Sequence, residues 1–264
     1  MGFPRLYGRN VRLTTWNVGM ALRKKWPALS SLHPDVAILQ EVSEQDVSKH
    51  AESCWIGNDP HKGLAVVGFN GFKVRVHPAW DPMIEFVVPI EVTGPVEFLL
   101  FAVWVMYKRS VKRLQERPNR WQMLQGLEIY EPLLLSRKSV VAGDFNNAVR
   151  WDRPRKADNH SLAAQKLSDL GLVSAYHANW ATAQGKEEHP TLYWMRHKDA
   201  PYHIDYIWLP QVWISGLRAV EIGDYSTWVQ GGLSDHVPLT VEMDDAVIGL
   251  VDPGAVDPAH SWPG

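Results

Sequence analysis

Short runs of β-branched and aromatic residues recur along this chain, and several of them end on, or contain, a polar side chain that a buried strand has no reason to carry. The runs Val11–Trp16, Val36–Leu39, Leu64–Phe69, Phe72–Val76, Phe86–Val92 and Val96–Val105 read as strands, followed by Ser139–Ala142, Thr191–Trp194, Ile204–Leu209, Leu217–Glu221 and Pro238–Met243. Helical periodicity is rarer and predicts helices over Ala21–Leu32, Ser110–Leu135 (broken near Pro118) and Ser161–Leu170. Some strands are apolar at consecutive positions, as strands covered on both faces are. An α/β fold with two sheets packed together and helices outside accommodates such a set.

The chain contains neither internal repeats nor low-complexity tracts, so one domain is expected over residues 1–243. At 264 residues it can bury a large core without cross-links. The single cysteine, Cys54, excludes an internal disulfide framework and any multi-cysteine zinc site. No export signal or membrane span is visible, so a cytoplasmic location, no stable membrane association and a monomeric state are the expectations. The net charge of −2 argues against gripping nucleic acid by bulk electrostatics. However, the last 23 residues carry five acidic groups and no Lys or Arg, leaving the first 241 at +3. Residues 244–264 contain three prolines and read as an acidic, loose tail.

Side chains at strand ends are held rigidly by the sheet, and chemistry in α/β folds collects there. Asn17 ends the first run. Glu41 follows Val36 to Gln40 and stands at the lip of an apolar strand. In Gly143-Asp144-Phe145-Asn146, the strand period of two places Asp144 and Asn146 on one face and Phe145 on the other. His203 and Asp205 share a face in the same way, and Asp235-His236 lead into the last run. Any one of these residues would be read as a turn or cap residue. Together, Asn17, Asn146, Asp144, Asp205, Asp235, Glu41 and His236 offer oxygen ligands for a hard divalent ion and a group for proton transfer.

The segments TTWNVG, ILQEV, GDFNN, HIDYIWLP and LSDHVPL, in that order, resemble the endonuclease/exonuclease/phosphatase superfamily over about residues 10–243. The resemblance implies a four-layer α/β sandwich, built from two mixed, mainly antiparallel sheets, with the site at one edge. It further implies a Mg²⁺- or Mn²⁺-dependent phosphoesterase. Glu41 would be the main metal ligand, completed or supported by Asn17 and Asp235. Asp144 would orient or deprotonate the attacking water, and Asn146 would hold a nonbridging phosphate oxygen. His236 would do the same or donate a proton, with Asp205 fixing its ring and favouring its charged form.

One position departs from the family pattern. Where many members place a His, and apurinic endonucleases a Tyr, this chain has Trp104, which can donate one hydrogen bond but transfers no proton. Either Tyr107 or a metal-bound water covers that role, or the leaving group needs less help; alternatively Trp104 is plain core. Arg150, Trp151 and Arg153, leading to His160 at a helix start, offer charge, a stacking face and a helix N-terminus to a phosphate backbone. Tyr193 and His203 complete the candidate substrate contacts, and Lys108 to Arg120 forms a basic run that could edge the cleft. A nuclease acting on DNA or RNA is the leading expectation. A small phosphate ester as substrate is the alternative, and an inactive binding protein the third reading.

Overall fold

The computed structural model describes residues 9–105, 121–156 and 159–249. Tyr107, the basic run from Lys108 to Arg120 and residues 250–264 of the expected tail lie outside them. In chain order the strands are β1 (Asn10–Asn17), β2 (Val36–Val42), β3 (Ser53–Asp59), β4 (Lys62–Gly68), β5 (Lys73–Val76), β6 (Val87–Thr93), β7 (Phe98–Trp104), β8 (Ser139–Asp144), β9 (Leu172–Ser174), β10 (Leu192–Tyr193), β11 (Pro201–Tyr202), β12 (Asp205–Pro210), β13 (Leu217–Ile222) and β14 (Leu239–Asp244). The helices are α1 (Leu22–Ser30), α2 (Glu44–Val47), α3 (Gln122–Ile129), α4 (Glu131–Ser136), α5 (His160–Asp169), α6 (Ala175–Trp180) and α7 (Asp245–Ile248). None of these helices is long and apolar enough to cross a membrane.

Two six-stranded sheets form, ordered β13-β14-β1-β2-β4-β3 and β5-β6-β7-β8-β12-β9. Strand β7 shows why consecutive apolar residues were needed. Phe98, Leu100, Ala102 and Trp104 join the core between the sheets, while Leu99, Phe101 and Val103 join the core beneath α3, α4 and α5. On the far side, Trp16, Ala37, Leu39 and Ala65 of the first sheet pack with Leu22 and Leu29 of α1. The layers are therefore helix, sheet, sheet, helix, as expected.

Topology gathers the polar strand ends. In each sheet one central pair is parallel, β1 with β2 and β7 with β8, and these pairs bring Asn17 beside Gln40 and Trp104 beside Asp144. Strand β12 runs antiparallel to β8, so its first residue, Asp205, is the ladder partner of the last, Asp144. Strand β14 runs antiparallel to β1, pairing Leu239 with Thr15, so the segment just before it returns to the end of β1.

Four local expectations change. The helix expected over Ser110–Leu135 is, in its described part, two helices meeting at Tyr130, because Pro132 in the first turn of α4 has no N–H to continue α3. The strand expected over Thr191–Trp194 is only Leu192–Tyr193; the chain then turns through left-handed Met195 and Arg196. Strand β3 was not anticipated, since it lies at a sheet edge and is half-exposed along most of its length. The stretch expected to be a loose tail opens with α7, whose first turn is capped by Asp244, accepting from the Ala246 N–H at 3.0 Å.

Candidate active site

The close packing of β7 against β8 depends on Gly143. Its φ is +145°, and a Cβ there would lie 1.9 Å from the Val103 carbonyl oxygen. With the backbone so close, Asp144 ends β8 fully buried, and the chain turns through Asn146 at φ 46°, a conformation asparagine tolerates. Three N–H groups converge on the Asp144 carboxylate. The Asn146 backbone N–H reaches Oδ1 at 2.8 Å; the side-chain amides of Asn146 and Asn17 each reach Oδ2 at 3.0 Å. The Asn17 bond crosses from one sheet to the other. Its amide orientation is set by the Gly19 N–H, which donates to Asn17 Oδ1 at 3.1 Å.

Asp205 and His236 complete the buried group. His236 Nδ1 lies 2.9 Å from Asp205 Oδ2, while Asp205 Oδ1 is buried with no hydrogen-bond partner among the described residues. One ligand atom each from Asp144, Asp205 and His236 lies within 4.8 Å of the others. Burial and the neighbouring Asp205 charge push the Asp144 carboxyl up to about 7, against His236 and the hydrogen bonds from the Asn17 side chain and the Asn146 backbone. Burial opposes the charged imidazole of His236, but Asp205, with Asp144 and Asp235, outweighs it and holds the ring pKa well above the ordinary histidine range.

A second layer supports these groups, and sequence reading missed its key member. Thr191 Oγ1, fully buried, accepts from the backbone N–H groups of both Ile204 and Asp205 at 3.0 Å. The same segment pairs with the His236 segment: the Val237 N–H donates to the Thr191 carbonyl and the Tyr193 N–H to the Asp235 carbonyl, both at 2.8 Å. Ser234 Oγ donates to the Asn17 carbonyl at 2.8 Å and accepts from the His236 N–H at 3.1 Å. The Thr191 segment was legible by resemblance as lying near the site, but its bracing role was not, because that role depends on β12 folding back beside it.

Glu41 stands apart from the buried cluster. The β2–β4 register slips between Gln40 and Val42, so Glu41 occupies a bulge at φ 58° and is pushed outward between two buried neighbours. Glu41 and Asp235 both act electrostatically on Lys25, whose ammonium donates to the Val18 carbonyl at 2.5 Å and the Gly19 carbonyl at 3.2 Å. Burial pushes Lys25 down to about 8, with Arg196 adding and the two carboxylates opposing. Lys25 and Arg196 thus stand within electrostatic reach of each other, and Lys25 of Glu41 and Asp235.

Several expected substrate contacts move. Trp104 is 2% exposed, packs on Phe86 at 4.8 Å and belongs to the inter-sheet core, so it offers no surface to substrate. His160 is fully buried among Trp121, Phe145 and Tyr206, and His203 is buried with Nδ1 on the His189 carbonyl at 2.7 Å. The helix N-terminus at His160 is not open to phosphate either. Asp152 already fills it, accepting from the N–H groups of His160 at 2.6 Å and Ser161 at 3.0 Å. Arg150, Trp151 and Arg153 remain exposed; Arg150 and Trp151 both pack on Tyr202, and Arg153 is tied to Asn159 through its backbone. Tyr193 is half-buried, edge-on to Tyr225 at 4.8 Å.

Residues 14–236 match the endonuclease/exonuclease/phosphatase family. Among solved structures, a 3′-5′ exonuclease (NExo) from Neisseria meningitidis superposes with a TM-score of 0.64 at 21% identity, covering 89% of this chain and 100% of that one. An AP endonuclease from Archaeoglobus fulgidus gives 0.60 at 18% identity, covering 89% and 99%. The 3′ phosphatase NExo from Neisseria bound to a product DNA hairpin gives 0.62 at 20% identity, again covering 89% and 99%. These likenesses establish the shared fold. No curated protein matches the chain in sequence.

Proposed function

The chain belongs to the endonuclease/exonuclease/phosphatase family, and from that premise we propose that it is a divalent-metal-dependent nuclease that hydrolyses phosphodiester bonds of DNA or RNA. The observation that carries this reading is the buried group of Asp144, Asp205 and His236, braced by Asn17 and Asn146 across the junction of the two sheets. The structures named above are of two enzymes, an AP endonuclease and NExo, the latter described both as a 3′-5′ exonuclease and as a 3′ phosphatase bound to a DNA hairpin, which favours a polynucleotide over a small phosphate ester.

Glu41, Asn17 and Asp235 supply only oxygen donors, the set a hard cation such as Mg²⁺ or Mn²⁺ takes. The unpartnered Asp205 Oδ1 marks a neighbouring place where positive charge or a donor is wanted. A bound ion would neutralise charge on the phosphate as it develops. The protein's own groups do the rest. Asp144, whose basicity burial raises, can in its ionised form accept a proton from an attacking water. Asn146 and the charged His236 ring donate hydrogen bonds to nonbridging phosphate oxygens, and fixed donors of this kind stabilise the transition state without reorganising. Asp205 keeps the ring charged and aimed.

The test is cleavage of single-stranded, duplex and abasic oligonucleotides, alongside 3′-phosphorylated ends and small phosphate esters, with Mg²⁺ or Mn²⁺. Cleavage of a polynucleotide that stops with chelator and in Glu41→Ala and His236→Ala is the expected result. Intact polynucleotides with turnover of small esters would replace the nuclease reading by a phosphatase one.

A further inference from the structure

A lysine outside every residue considered so far touches the edge of this site. Lys62 opens β4, directly after the turn that joins it to β3. Its ammonium lies 3.0 Å from Glu41 Oε2 and 5.7 Å from the centre of the Trp104 ring. Glu41 reaches this pair because the bulge at φ 58° turns it outward. Trp104 reaches it because it is the ladder partner of Asp144 at the end of β7. One ammonium therefore joins the outward carboxylate to the strand end where the reaction is expected.

We propose that Lys62 is the countercation of Glu41, competing with a divalent ion for that carboxylate and presenting its ammonium to a substrate phosphate once the ion has taken Glu41. This rests on the metal-dependent reading above. Two features separate Lys62 from an ordinary surface pair, which contributes little. Its partner is held in a left-handed bulge rather than on a free rotamer-rich surface. Its ammonium also lies, in the same position, 5.7 Å from the centre of an indole fixed in the core, whose face attracts cations and gives it a partner other than the carboxylate. Lys25, the other lysine near Glu41, is tied to the Val18 and Gly19 carbonyls and cannot follow the same path.

The experiment compares wild type, Lys62→Met and Lys62→Arg, with Lys166→Met, which removes a lysine paired to Glu131 elsewhere, as control. Manganese binding is followed by calorimetry in the absence of nucleic acid, with Glu41→Gln defining the site. Lys62→Met should bind manganese about 3- to 30-fold more tightly, while Lys62→Arg and Lys166→Met match wild type. Binding of a short single-stranded oligonucleotide is then measured in calcium across a salt series. Lys62→Met should weaken it and lower the salt slope by about 1, as loss of one phosphate contact does. An unchanged manganese affinity or an unchanged salt slope overturns the proposal. Failure of the nuclease reading looks different: manganese binds at Glu41 and responds to Lys62, but no polynucleotide is cut.

Discussion

Asp205 and Asp144 are partners across the β8–β12 ladder, two buried carboxylates set side by side by antiparallel register alone, and His236 bonded to one of them separates their roles. Like charges so placed repel, and burial adds to the difficulty, so the pair depends on the imidazolium and on the amides of Asn17 and Asn146. Asp205→Asn keeps a hydrogen-bond partner for the ring but removes the charge that sustains it. The expected result is a loss of about 10²- to 10⁴-fold in kcat on the best substrate of the screen, with KM changed much less. Steady-state kinetics on the folded variant, checked by circular dichroism, measures it. An equal rise in KM at constant kcat would make Asp205 a binding residue instead.

Thr191 carries Asp205 through the backbone rather than the side chain. Thr191→Val preserves shape but removes the acceptor for two buried N–H groups, with an expected loss of about 2–4 kcal/mol in urea unfolding. Thr191→Ser keeps the hydroxyl and should restore most of that stability. If the segment also positions Asp205, kcat falls in the valine variant at temperatures where it remains folded and recovers in the serine variant. A kcat that follows neither substitution would leave Thr191 a structural residue only.

What could be read from the amino acids follows from what each level of structure requires. Asn17, Asp144, Asn146, Asp205 and His236 were legible because each interrupts or ends an apolar run, and a two-residue period says which face it takes. That the five meet was carried by their order along the chain, whose physical cause is the parallel and antiparallel pairing around β1 and β8. Lys62 was not legible, nor was the part Thr191 plays in holding Asp205. One acts through a bulge at Glu41 and the other through a backbone contact across thirteen residues, and neither leaves a periodic trace. His160 was misplaced because a histidine beside a helix-capping Asn looks exposed. The cap comes instead from Asp152, eight residues earlier, and the ring turns into the core.

Gly143 predicts the sharpest stability effect. Gly143→Ala would place a methyl carbon 1.9 Å from the Val103 carbonyl oxygen at a φ of +145°, so both the clash and the backbone preference oppose it. The expected destabilisation is about 3–5 kcal/mol, with separation of the β7 and β8 ends and loss of the Asp144 environment. Gly171→Ala is the control, since its added Cβ meets nothing within 4 Å although its φ is +77°. That variant should lose only about 1–2 kcal/mol from backbone strain. Comparable losses in the two variants would mean that close strand packing at Gly143 contributes little.

His160 predicts a pH dependence of stability. Its ring is fully buried, neither nitrogen meets a partner among the described residues at hydrogen-bonding geometry although Gln184 faces it, and burial pushes its pKa from 6.5 to about 4. Above pH 6.5 the ring is neutral in both folded and unfolded chains. Between 6.5 and about 4 the unfolded chain binds a proton that the folded one does not, so stability falls as pH falls. A shift of this size corresponds to about 3 kcal/mol across the window, and His203, pushed down to about 4 by the same cause, adds to the slope. His160→Phe fits a site already lined by Trp121, Phe145 and Tyr206 and removes the titrating group. Urea unfolding at pH 7 and pH 5 should show the variant losing markedly less stability on acidification than wild type. Parallel losses in the two proteins would mean that the His160 ring takes its proton in the folded state as readily as in water.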